Sequence, residues 1–141
     1  VELLAGRRRT LYAPISRGQR FASDRFLLTF DFPDANITSG QRTRTIVPQQ
    51  QLFALNSSFI VENARRFAQR VRMESDSNVS QIRRAFELAY GRPARPDELD
   101  LAQQFLLAAT QNDSRTPPSG LTPWEQLVHV ILASNEMIYL R

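Results

Sequence analysis

The stretch FDFPDANITSGQRTRTIVPQQQLFALN, residues 30–56, contains the change in sequence character that decides the fold. Its first part is rich in Pro, Asp, Asn and Gly, which favour turns through a fixed φ, hydrogen bonds from the side chain to the backbone, or tolerance of positive φ. At Pro48 the pattern changes, because proline suits the first position of a helix and Leu52 and Leu55 then share one helical face. The stretch therefore predicts an elaborate structural connector that ends in a helix.

Towards the C-terminus the sequence is typical of amphipathic helices, each with its own start or stop signal. Either Ser57 or Ser58 can cap the helix that follows the connector, because a serine side chain competes for backbone hydrogen bonds. Asn78, with Gln81 three residues later, resembles a capping box. Gly91 lies where the left-handed residue at the end of a helix belongs.

Two more helix starts follow. Pro96 begins a helix with Glu98 in its first turn, where the helix dipole favours a carboxylate. Thr122, Pro123 and Glu125 combine a cap, a proline at the first position and a glutamate at the third. The side chains expected to face the core are Phe59 or Ile60, Ala64, Phe67, Ala68, Val71, Ile82, Ala85, Phe86, Ala89, Leu99, Ala102, Phe105, Leu106, Ala109, Trp124, Leu127, Val128, Ile131 and Leu132. This pattern predicts a mainly α fold, an irregular bundle of four to five helices over residues 48–141.

Residues 1–47 mix Gly, Pro, Ser and Thr with short apolar runs and cannot form a core alone, so we expect this extended, turn-rich segment to wrap over the bundle. Ser23 is expected to cap a short helical turn within it. Arg42 and Asp31 are expected to form a buried ion pair that pins the connector, so Arg42→Ala should cost about 3–5 kcal/mol. At 141 residues the chain is expected to be a single domain. It starts VELLAGRRRT, with neither Met nor a signal peptide, and is expected to be a fragment of a longer protein.

The composition excludes several classes of protein. The chain has no Cys, so it contains no disulfide and no thiolate chemistry. No apolar run is long enough to span a membrane. The net charge of +4 comes from arginine alone, since the chain has no Lys. The arginines are clustered at residues 7–9, 42–44 and 65–72. Such a set would suit an anionic partner such as nucleic acid or an acidic polysaccharide, but a solvated or ion-paired surface would also contain it.

Candidate catalytic and metal-binding residues are few. His129 is the only histidine and lies beside an apolar stripe, which favours a surface or boundary residue over a base or ligand. Asp31, Asp34 and Asn36 could offer oxygens to Ca²⁺, but their spacing does not match an EF-hand and favours a turn. The glutamates are dispersed over different helices, without a spacing that implies a catalytic pair. No catalytic, cofactor-binding or metal-binding residue is therefore assigned.

Several segments together resemble one protein family. They are RRTLY at 8–12, FDFPDAN at 30–36, residues 42–56, LAYGRPARPDEL at 88–99 and SNEMIYL at 134–140. In order and approximate spacing these segments resemble domain of unknown function 1553, the planctomycete PSD-one C-terminal domain. The positions that match its motifs are Arg9, Tyr12, Asp31, Pro33, Arg42, Thr45, Pro48, Asn56, Gly91, Arg92, Glu98, Asn135 and Glu136. The chain departs from the pattern at Ser39, often Cys or another small residue in the family, and at Ser58, where proline is expected.

The resemblance implies a place in a larger protein but no activity. Family members are similar in forming the C-terminal part of large bacterial envelope or secreted proteins, which commonly carry a second domain of unknown function and often a cytochrome c-like haem domain. These upstream domains are the expected partners, and no cofactor is expected in this domain itself. From the residues, Arg92 is expected to pair with Glu98 or to donate to the carbonyls of the preceding helix.

The sequence thus favours a non-catalytic helical module that packs against or assists upstream domains. Two alternatives stay open. The first is a binding module that holds an anionic polysaccharide or nucleic acid through its arginine clusters. The second is part of a composite enzyme site completed by upstream domains, in which Asp31, Asp34 or His129 would meet in a polar cleft.

Overall fold

A computed structural model describes residues 29–30, 38, 40, 48–111 and 120–139 of the chain. Over these residues the chain forms six helices and no strand, which confirms the prediction of a mainly α fold. The helices are α1 (Pro48–Asn56), α2 (Ser58–Glu74), α3 (Asn78–Tyr90), α4 (Pro96–Gln111), α5 (Pro123–Leu132) and α6 (Asn135–Ile138). None of these six is both long enough and apolar enough to cross a lipid bilayer.

Side-chain caps define where most of these helices begin. Ser57 caps α2 by accepting a hydrogen bond from the backbone N–H of Phe59. Thr122 and Glu125 form the complete capping box expected for α5, with Pro123 at its first position. Such caps satisfy backbone N–H groups that have no partner inside the helix, which stabilises the first turn.

The predicted capping box of α3 is wrong in its position. The cap is Ser77, whose hydroxyl accepts from the backbone N–H of Ser80, and Asn78 is already the first helical residue. Gln81 does not reach back to the cap; its side-chain amide donates to the Ser75 carbonyl at 2.9 Å. At the other end of α3, Gly91 has the expected left-handed conformation (φ 68°) and donates its N–H to the Glu87 carbonyl.

The core lies among α2, α3, α4 and α5. Helix α5 contacts each of the others and has its most extensive contact with α2. The largest fully buried side chains are Val71 of α2, Ile82 of α3 and Val128 of α5. Since complete burial of one such side chain contributes roughly 1.5–3 kcal/mol, the apolar stripes are the main source of stability. The buried members of this core are Ala64, Ala68, Val71, Ile82, Ala85, Phe86, Ala102, Trp124, Leu127, Val128 and Ile131.

The structure adds to one expectation about the helices, that Leu52 and Leu55 share a face, and differs from two others. In α1 the leucines Leu52 and Leu55 are exposed, whereas Gln50 and Ala54 are buried. In α4 Phe105 is 37% exposed, because the buried face of this helix is centred on Ala102. The helix count rises to six because the residues from Asn135 onward form the additional turn α6, capped by Ser134.

The chain divides into two compact units, residues 1–53 and 54–141. In the first unit the Gln50 side chain donates to the Thr29 carbonyl at 2.9 Å, and the rings of Phe30 and Phe53 meet edge to face at 5.9 Å. The predicted wrap of residues 1–47, the turn capped by Ser23 and the pair between Arg42 and Asp31 lie almost entirely outside the described residues and stay predictions.

Candidate functional site

Arg92 is the centre of the densest group of charged side chains in the described helices. It follows Gly91 in the link between α3 and α4, and its guanidinium lies between Glu98 of α4 and Glu136 of α6. We call Arg92, Glu98, Glu136, Tyr90 and Phe86 the Arg92 cluster. Three of the residues that match the family motifs, Arg92, Glu98 and Glu136, meet in this cluster. Two others are their neighbours in sequence, Gly91 before Arg92 and Asn135 before Glu136.

All five N–H groups of Arg92 are used within the chain. Nε donates to Glu136 Oε1 at 2.7 Å, and Nη2 to Glu136 Oε2 at 2.7 Å and to Glu98 Oε1 at 2.8 Å. Nη1 donates to Glu98 Oε2 at 2.8 Å and to the Pro93 carbonyl at 3.1 Å. A guanidinium carries five donors, so none is left for a ligand. The expected pair between Arg92 and Glu98 is present, and Glu136 adds a second bidentate pair.

Aromatic rings of α3 pack against the same guanidinium. The carbon at its centre lies 5.2 Å from the ring centroid of Tyr90 and 5.8 Å from that of Phe86. These two rings meet edge to face at 5.3 Å. Because a cation within about 6 Å of an aromatic centroid is attracted to the ring, the rings help to fix the plane of Arg92.

Tyr90 extends the cluster to α5. Its hydroxyl donates to the Ile131 carbonyl at 3.1 Å and shares a 2.9 Å hydrogen bond with the Ser134 hydroxyl. Burial raises the pKa of Tyr90 above its ordinary value, although the bond to Ser134 partly opposes this. Tyr90 is therefore a neutral hydrogen-bonding link, and the cluster connects α3, α4, α5 and α6.

The ion pairs keep both glutamates of the cluster charged. Hydrogen bonds from Arg92 lower the pKa of Glu98 to about 2, helped by the backbone N–H of Arg95, which donates to Glu98 Oε2 at 2.8 Å. The same guanidinium lowers the pKa of Glu136, and hydrogen bonds to the two carboxylates raise the pKa of Arg92. A general acid needs a pKa near the working pH, so neither carboxyl suits proton donation near neutrality.

The arginines of α2 and α3 are mostly paired as well. Glu62 lies 3.1 Å from Arg66 and 3.8 Å from Arg65. Glu74 accepts from Arg70 and Arg84, each at 2.8 Å. These hydrogen bonds lower the pKa of Glu74, and the bond to Glu74 is the largest cause of the raised pKa of Arg84.

His129 has a structural position, as its place beside the apolar stripe suggested. The ring is half-buried, and Nε2 lies 3.1 Å from the Ala54 carbonyl oxygen. Since a carbonyl only accepts, Nε2 carries the proton and ties α5 to the end of α1. No group of three potential metal ligands converges within residues 48–111 and 120–139.

Of the remaining predicted residues, Asn56 ends α1 on the surface, away from the contacts of the Arg92 cluster. Six others lie outside the described residues: Arg9, Tyr12, Asp31, Pro33, Arg42 and Thr45. Tyr90, Phe86 and Ser134 are not among the predicted site residues, although Phe86 is predicted as part of the core. The first two could have been found from their spacing of four residues, which places two aromatic rings on one helical face next to Arg92.

Comparisons with known proteins identify the family. Neither the curated proteins nor the solved structures gave a match. The family PSD1, described as "Protein of unknown function (DUF1553)", matches residues 3–106, so Arg92 and Glu98 lie within the match and Glu136 beyond it. Because this match covers well over half of its 141 residues, the chain belongs to the DUF1553 family.

Proposed function

We propose that this chain is a non-catalytic helical module of a larger bacterial envelope or secreted protein, in which it packs against the preceding domains. The observation that carries the proposal is the saturation of the Arg92 cluster. Each of the five N–H groups of Arg92 bonds within the chain, and Glu98 and Glu136 are held as carboxylates. A group so fully satisfied stabilises the link between helices and has no donor to offer a substrate.

Helix α4 supplies the surface for this packing. Leu101 and Phe105 stand one turn apart on one face of the helix, and they are 69% and 37% exposed. Adjacent exposed apolar side chains are typical of a protein–protein contact, whereas single ones are common on any surface. We assign this face to the domain that precedes the chain in its parent protein. Because Leu101 and Phe105 contribute apolar surface and no charge to the contact, the association should survive high salt.

A mixing experiment tests this role. The upstream part of the parent protein and this chain are expressed separately, mixed and purified through a high-salt wash. We expect them to co-purify, and Leu101→Glu to prevent it by placing a charge in the contact. Met73→Glu is the matched control, because Met73 is 81% exposed on α2 among charged neighbours. Failure of the wild-type chain to associate, or equal loss in both variants, would contradict the proposal.

The two alternatives have less support. Arginine clusters that hold a polyanion by charge alone would need free guanidinium groups. In α2 and α3, however, only Arg72 and Arg83 have no ion pair or hydrogen bond in the described part of the chain. The residues 54–141 contain ten arginines and ten acidic side chains, so the net charge of +4 lies in residues 1–53. A composite enzyme site would draw on His129, which is already bonded to Ala54.

A further inference from the structure

A pocket of about 320 Å³ lies where α2 passes the first turn of α5. Arg66 and Ala68 line it from α2, together with four polar side chains, Glu62, Arg65, Gln69 and Arg72. Their spacing of three and four residues places them in one row along the helix, as neighbours on a single face. We call this site the α2–α5 pocket.

Trp124 gives the α2–α5 pocket a fixed floor. The indole Nε1 donates to the Ala68 carbonyl at 3.3 Å, and the side chain is only 4% exposed. Glu125 stands beside it and is occupied by the capping box, since its Oε2 accepts from the Thr122 N–H at 2.7 Å. A tryptophan held in this way bounds the pocket but cannot stack flat against a planar base.

Two polar side chains of the pocket remain available to a ligand. Within the described part of the chain Arg72 and Gln69 make no hydrogen bond or ion pair. Arg65 is held loosely, with 3.8 Å between its Nη1 and Glu62. The free guanidinium can bind an oxyanion through two parallel hydrogen bonds, and the amide of Gln69 can both donate to and accept from a hydroxyl.

The charges of the pocket limit the class of ligand. Glu62 and Glu125 would repel the closely spaced phosphates of a nucleic acid, and the buried Trp124 offers no exposed ring on which the bases of a single strand could stack. A ligand with one anionic group per unit and several hydroxyls avoids both problems, because carboxylates accept hydrogen bonds from hydroxyls. Arg65 and Arg72 are seven residues apart, about 10 Å along the helix, so one small ion cannot use both fully.

We propose that the α2–α5 pocket binds an acidic saccharide, with its carboxylate or sulfate group on Arg72 and its hydroxyls on Gln69 and Glu62. This binding goes beyond the packing role proposed above and does not depend on it. It uses one unpaired arginine in a pocket, whereas the arginine clusters considered above would hold a polyanion by charge alone. Arg65 then meets the next anionic group along the saccharide.

Binding to labelled oligosaccharides tests the proposal on the full chain. The probes are oligogalacturonate, which carries only carboxylates, a lightly sulfated dextran, which carries only sulfates and keeps most of its hydroxyls, and neutral dextran. We expect one acidic probe to bind and neutral dextran not to bind. Arg72→Gln should weaken that binding about tenfold, as expected for the loss of a charge-assisted hydrogen bond. Gln69→Ala should weaken it less.

Arg83→Gln is the matched control, because Arg83 is also exposed and unpaired in the described part but lies outside the pocket. Both variants remove one positive charge, so attraction by overall charge would weaken equally in both. We expect Arg83→Gln to bind within about twofold of the wild type, since a surface charge far from the ligand is screened. Equal losses in the two variants, or no binding of either acidic probe, would overturn the proposal. Circular dichroism of each variant confirms that it is folded.

Discussion

Arg92 uses all five of its N–H donors in hydrogen bonds within the described residues. Its planar fork meets two carboxylates side by side, and two aromatic rings lie within 6 Å of its centre. A lysine would place the same charge at the same position but has one nitrogen and no plane. The geometry, and not the charge alone, is what joins the link after α3 to α4 and α6.

We therefore expect Arg92→Lys to lower the free energy of unfolding by about 1–3 kcal/mol, because it loses the bidentate hydrogen bonds and leaves carboxylate oxygens without donors. Urea unfolding followed by circular dichroism measures the change. Arg83→Lys is the control, since Arg83 is exposed and unpaired within the described residues, and it should stay within about 0.5 kcal/mol. Equal stability of Arg92→Lys and the wild type would contradict the structural role of the cluster.

Glu98 makes the stability of the fold depend on pH in acid. Its pKa in the folded chain is about 2, below the ordinary value of 4.5, so the unfolded chain binds more protons between these values. Stability from this group is complete above about pH 4.5 and is lost as the pH falls towards 2. We expect Glu98→Gln to reduce the slope of unfolding free energy against pH in this window. Asp76→Asn, at an exposed position without an ion pair in the described part, should keep the wild-type slope.

Local spacing decides which of these residue contacts can be predicted from sequence. Arg92 and Glu98 are six residues apart across a helix start, so a pair between them is readable from the motif. Glu136 lies 44 residues from Arg92, and the contact exists only because α6 folds back against α3. No pattern along the chain encodes that approach, which is why the resemblance marked Glu136 without giving it a role.

Helix starts were predicted best where the whole signal lies within four residues. The box of Thr122 and Glu125 is local, and both of its hydrogen bonds are present. The start of α3 was placed one residue late, because Ser77 and Asn78 are both good caps and the pattern with Gln81 favoured the wrong one. The spacing of apolar residues identifies one face of a helix, but it does not show whether another part of the chain packs against that face. The exposed leucines of α1 and Phe105 of α4 are examples.

The cap of α5 should be worth a measurable amount of stability, since α5 contacts every other helix of the core. Thr122→Ala removes the hydroxyl that accepts from the Glu125 N–H, and we expect a loss of about 0.5–2 kcal/mol. Thermal unfolding of the variant measures it. Thr122→Ser retains the hydroxyl and should lose much less, so similar losses in the two variants would mean that the cap hydrogen bond is not responsible.

At the scale of the whole molecule, the net positive charge and the described apolar core belong to different parts of the sequence. Within the described part of the chain, the residues of the core cluster belong to the unit 54–141, which has equal numbers of arginines and acidic side chains. The excess positive charge belongs to residues 1–53. Burial of apolar surface is therefore sufficient to explain the folding of the helical part, without attraction between oppositely charged parts of the chain.

The segment 48–141, which contains all six described helices and the core cluster that the described residues form, should then fold without residues 1–47. Single domains of this size bury enough apolar surface to be stable without disulfides or metals. We expect the isolated segment to give a helical circular dichroism spectrum and one cooperative thermal transition. The control is the same segment with Ile82→Ala, which removes a fully buried side chain and should cost about 2–5 kcal/mol. A segment that unfolds gradually, with no difference between the two forms, would show that residues 1–47 are required to complete the core.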